Sequence, residues 1–143
     1  MIKTNKNEKS AVRYALAGLL ASVPMGAAAM MLAVAAGMGF FDPLRLIASV
    51  LLGPAALSGA APIFVGLALH MTTGAALGAA YGLAVGPRVN SSYIGLAYGV
   101  GVWIAATLVL SFTAPVFSER MPHALFAMAH VVYGAALALL LRR

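Results

Sequence analysis

The chain has 143 residues, of which 63% are hydrophobic and only 8% charged, and its mean hydropathy is +0.99. A water-soluble globule, which carries about 25% charged residues, is excluded. Nine Lys and Arg against three Asp and Glu give a net charge of +6, but the basic residues gather at short edges, form no stripe for nucleic acid, and set membrane topology instead. Cysteine is absent, which excludes disulfides, thiolate metal centres and covalently attached haem.

Residues 1–12 form a polar segment, expected on the cytoplasmic side, whose first ten residues lack an apolar face and are expected to be disordered. Residues 13–143 then make one transmembrane domain. Uncharged stretches run over 14–41, 46–87, 89–118 and 121–141, and each holds the roughly 20 residues needed to cross about 30 Å of hydrocarbon. The predicted spans are 13–37, 63–86, 93–115 and 123–141. The first follows Lys-rich residues like a secretory signal, yet its uncharged run far exceeds a signal's core of about 7 to 15 residues, so a retained anchor is expected.

The long second stretch admits a fifth crossing, and the distribution of positive charge decides against it. With four spans, Lys3, Lys6, Lys9, Arg13, Arg88, Arg142 and Arg143 lie inside and only Arg45 and Arg120 outside. Both termini are therefore expected in the cytoplasm. Residues 43–53 become a short interfacial or re-entrant helix on the outer side, opened by Asp42-Pro43 and stopped by Gly53-Pro54. The expected fold is an all-α, integral membrane four-helix bundle.

Small residues recur at helical spacing. Gly74, Gly78, Gly82 and Gly86 stand four apart in the second span, with Gly18, Ser22 and Gly26 in the first, Gly95 and Gly99 in the third, and Gly134 in the fourth. Such stripes let backbones approach closely, where dispersion replaces the hydrophobic drive that lipid cannot supply. Pro24 and Pro115 fall within spans, where neighbouring helices absorb the missing donor. Tyr14 and Tyr93 are expected in an inner aromatic belt, and Phe40, Phe41, Phe64 and Phe117 at the outer boundary. Trp103, at mid-span, is expected to pack against a helix or partner; Tyr81 and Tyr98 need hydrogen-bond partners.

The pattern His-x-x-x-Gly-Ala-Ala-Leu occurs at His70 and again at His130, which suggests two related helical hairpins. Both histidines are expected at one level, about 10 Å from the outer end of their spans. Three readings stand. The imidazoles bond to a carbonyl or hydroxyl as structural groups; or His70 and His130 are axial ligands of haem b, for which Arg45 and Arg120 alone could meet the propionates; or His123, His130, Met71, Met121 and Met128 handle copper. The last is weakened because Met128 and His130, two apart, point to different sides of a helix.

Apart from Arg13 at the edge of the first, no Asp, Glu, Lys, Arg, Asn or Gln falls within a span, which disfavours a proton relay or coupled pump. No nucleophile, base and orienting acid are spaced for catalysis, and no phosphate-cradling loop is present. A non-enzymatic structural or accessory subunit is expected, packing through its glycine stripes against itself or a larger complex in the bilayer, without a cofactor. A small passive channel is a further alternative.

Residues 39–82 carry Asp-Pro-Leu-x-x-Ile-x-Ser-x-Leu-Leu-Gly followed by a span with His-x-x-x-Gly. This run resembles a family of small uncharacterised four-helix proteins of the bacterial inner membrane. The resemblance implies that membrane and topology, and no reaction.

Overall fold

With no water in hydrocarbon to satisfy backbone groups, long uncharged stretches close their hydrogen bonds within helices. The computed structural model, which describes residues 6–85 and 92–142, contains α1 (Lys6–Ala35), α2 (Asp42–Leu52) continued by a 3-10 turn (Gly53–Leu57), α3 (Ala61–Ala84), α4 (Ser92–Thr113), α5 (Pro115–Arg120) and α6 (His123–Leu141). Four of these helices, α1 from Ser10 onward, α3, α4 and α6, are long and apolar enough to cross a membrane. The fold is the all-α, four-span arrangement expected, with the short helix between the first and second spans.

Local chemistry sets the helix boundaries, and several differ from expectation by one or more residues. α1 starts at Lys6, inside the stretch read as disordered, because no glycine or proline separates those polar residues from the apolar run. It ends in a Schellman motif: Gly37 takes φ +79°, Met38 N–H donates to Ala33 O at 2.9 Å, and Gly37 N–H donates to Val34 O at 3.0 Å. α4 stops at Thr113 rather than 115, since Pro115 drives Ala114 out of the helical region (φ −141°, ψ 70°) and itself opens α5. Pro24 remains inside α1.

The helices lie in the spatial order α3, α1, α6, α4, with α1 packed against both α3 and α6, and α4 packed against α6. Two close approaches hold this order. A Cβ on Gly78 would fall 2.6 Å from Gly18 Cα, and one on Gly18 would overlap Gly74 O. A Cβ on Gly134 would fall 3.0 Å from Gly99 Cα, and one on Gly95 would meet Ala138 Cβ and Gly134 O at 2.5 Å. Gly82 accommodates the ring of Tyr14, and Gly86 lies outside the described residues. The first approach joins α1 to α3 and the second α4 to α6, so the two copies of the sequence pattern each place their glycine at the contact of a hairpin.

The short helix α2 is seated on α3, backbone to backbone: a Cβ on Gly66 would overlap Leu44 O. The carboxylate of Asp42, expected to cap this helix, instead accepts the N–H of Gly39 at 2.7 Å and pairs with Arg45 at 3.1 Å. Arg45 Nε also donates to Gly59 O at 3.2 Å. This tie fixes both ends of the α2 segment.

Two apolar clusters fill the bundle. One gathers Tyr14, Ala17, Ala21, Tyr81, Tyr133, Leu137 and Leu141; the other gathers Ala33, Leu46, Ala114, Phe117, Met121 and Leu125. Tyr14 and Phe117, expected as belt residues, are therefore core: glycine at 82 leaves room for the tyrosine ring, and α5 turns the phenylalanine inward onto Phe126. Tyr93 and Phe64, 84% and 71% exposed, do face outward. Among the spans α6 is the most enclosed and α4 the least, with 44% and 11% of their apolar windows buried.

Candidate functional site

α3 and α4 follow one another in the chain but are not close-packed over the described residues. Large side chains bridge them at one end, where Tyr81 and Tyr98 meet edge to face with ring centroids 5.0 Å apart. Tyr98 OH donates to Leu77 O at 2.7 Å, which meets the requirement for a buried phenol. Beyond this bridge the helices leave a partly open cavity of about 450 Å³, within the usual range for small-molecule sites. Leu69, His70, Thr73, Gly74 and Leu77 supply one wall and Val102, Ala105, Ala106, Val109 and Leu110 the other. Ser22 and Met25 of α1, Ile47 and Val50 of α2, Phe117 of α5, and Phe126, His130 and Tyr133 of α6 complete it.

The two histidines singled out by the repeated pattern line this same cavity. They are held differently. His70 Nε2 lies 2.8 Å from Ser22 O on α1, and Gly26 makes room for it, since a Cβ there would stand 3.1 Å from that nitrogen. His130 Nδ1 lies 2.8 Å from Phe126 O on its own helix, and its ring meets Phe126 edge to face at 4.5 Å. His130 is buried and His70 half-buried. A carbonyl can only accept, so each of these nitrogens carries the proton and donates. The neutral rings therefore differ in tautomer: Nε2–H at His70 and Nδ1–H at His130.

The other polar groups of the wall are partly committed. Ser22 Oγ donates to Gly18 O at 2.9 Å and Tyr133 OH donates to Gly74 O at 2.8 Å, the latter tying α6 to α3 across the bundle. The Ser22 bond is a back-bond to the carbonyl one turn earlier on its own helix. Among the described residues no Asp, Glu, Lys or Arg lines the cavity.

Met128 is exposed and His130 buried, as expected for positions two apart, and His123 is exposed at the start of α6. Among the described residues no group of three or more His, Cys, Asp or Glu could hold a metal ion. Trp103 is half-buried on α4, and its Nε1 and Thr107 Oγ1 are buried without hydrogen-bond partners. Gly66, which seats α2 against the bundle, was not singled out by sequence reasoning: it stands outside the four-residue ladder that begins at Gly74, although it is two turns earlier on the same helical stripe.

No family model matches the sequence, and no curated protein or solved structure does. Of the resemblance read from residues 39–82, the four long apolar helices are present, and no family is identified.

Proposed function

We propose that this chain is a non-enzymatic accessory protein of a bacterial inner membrane, with both termini cytoplasmic, that holds a small lipid-soluble ligand between α3 and α4. One observation carries the reading: the cavity of about 450 Å³, with apolar walls and a few polar groups converging from α1, α3 and α6. Apolar lining with sparse, placed polar groups is the usual character of a ligand site. The glycine stripes support the same view, because they are taken up by contacts within the chain. Contact with a second copy or a larger complex would then use the exposed apolar faces.

A substitution that fills the cavity tests this. Ala106→Phe places a ring in the space from the α4 wall, away from the glycine contacts. Purified wild-type protein in mild detergent is expected to unfold at a higher temperature when an alkylbenzene is added, and the variant is expected to lose that gain while keeping its own midpoint. Equal stabilisation of both proteins would show that the probe acts elsewhere and would refute the site.

Haem b, with His70 and His130 as axial ligands, is the second reading. It is favoured by the shared cavity and by the Nδ1–H bond of His130, which orients a ring for binding through Nε2. It is opposed by the uncharged wall, since Arg45 is engaged by Asp42 and Gly59. A Soret band lost in His130→Ala would establish it.

A further inference from the structure

We infer that the ligand held between α3 and α4 is a lipid-soluble aromatic diol, of the membrane quinol type, recognised by the hydroxyl hydrogens it donates to His70 and His130. The inference rests on the ligand-binding reading above and names the chemistry that the site selects.

Hydrogen-bond capacity selects the ligand. The N–H of each imidazole is used on a backbone carbonyl, Ser22 O for His70 and Phe126 O for His130. The hydroxyl hydrogens of Ser22 and Tyr133 are likewise used, on Gly18 O and Gly74 O. What a neutral imidazole retains after donating one N–H is a bare ring nitrogen, which is an acceptor only. Both residues belong to the wall of one cavity, where the ligand of this proposal would meet those nitrogens. The Thr73 hydroxyl can turn to donate or accept, so it does not decide the selection.

A ligand that only accepts, such as a quinone or an ether, leaves both ring nitrogens unsatisfied in an apolar surround, whereas a molecule with two hydroxyls can satisfy both. The aromatic body follows from Phe117, Phe126 and Tyr133 in the lining, whose faces and edges suit a ring. The cavity is partly open and α3 and α4 are not close-packed over the described residues, which leaves room for an alkyl tail.

The test compares molecules of one shape. A long-chain alkyl hydroquinone, its dimethyl ether and the corresponding quinone are titrated into the full-length protein in detergent, with affinity read from the shift in unfolding midpoint. The hydroquinone is expected to bind at least about tenfold more tightly than the other two, the combined net effect of two buried hydrogen bonds. The preference is expected to fall severalfold in His70→Phe and in His130→Phe, each of which keeps one of the two acceptors. Equal binding of all three would overturn the inference and leave the ligand site standing, and binding of none would remove the site itself. A long-chain aliphatic alcohol that matched the hydroquinone would also overturn it, by transferring the recognition to lipid alcohols. The wild-type comparison decides even if neither histidine variant folds.

Discussion

A single hydroxyl in this protein is stabilising or costly according to what lies beside it. Tyr133 OH donates to Gly74 O at 2.8 Å and so ties α6 to α3. Tyr133→Phe is expected to lower the stability by about 1 kcal/mol, the usual value of such a bond in a membrane bundle. Thr107 is the reverse case, with Oγ1 buried and unpartnered. Thr107→Val keeps the shape and removes the orphan, and is expected to raise the stability by about 1 kcal/mol. Denaturant unfolding of both variants in mixed micelles, followed by circular dichroism, measures the two signs together. The sequence did not indicate which threonine would lack a partner, because that depends on helix rotation.

At the scale of helices, the same residue type is obligatory at some positions and incidental at others. Gly78 lies against Gly18 Cα at the contact of α1 with α3, whereas a Cβ on Gly101 would meet nothing within 4 Å. Gly78→Leu is expected to cost about 3 kcal/mol or more, or to prevent assembly, since the atoms it meets, of Gly18 and the carbonyl oxygen of Tyr14, are backbone and cannot move aside. Gly101→Ala is expected to lie within about 1 kcal/mol of wild type and on the stabilising side, from helix propensity alone. Thermal unfolding of the pair in one detergent gives the comparison. The four-residue ladder from Gly74 was legible in the sequence as close packing, but its partner was not. Spacing on one helix shows that a stripe is bare; the stripe that meets it is chosen by three-dimensional fit. Proline acted more locally: Ala114-Pro115 ended α4, and Pro24 left α1 continuous.

At the scale of the whole molecule, the bundle places Arg142 against Ser92 at one end and the Asp42–Arg45 pair, with Arg120, in the α2 and α5 segments of the other. The basic residues near the first end outnumber those near the second, so the former is expected in the cytoplasm. Single cysteines at Ser58 and Glu119 are expected to react with an impermeant maleimide applied from the periplasm, and one at Ser10 only after the membrane is opened. The converse pattern would invert the orientation while leaving the fold intact. The cavity also belongs to this scale, since its walls come from α1, α2, α3, α4, α5 and α6.

The sequence by itself determined the solvent, the four candidate spans and which helix stripes are bare, because these depend on properties that add along the chain: hydropathy over about 20 residues, charge at the edges, and the absence of side chains at every fourth position. Tertiary structure alone decided that Tyr14 and Phe117 turn inward, that Gly66 seats α2, and that α3 stands apart from α4. It also set the two histidines in opposite tautomers, one bonded across to α1 and the other to its own helix, though their sequence surroundings are nearly the same. Those outcomes depend on which carbonyl or void lies opposite a residue, and that is a property of neighbouring helices rather than of the chain that carries it.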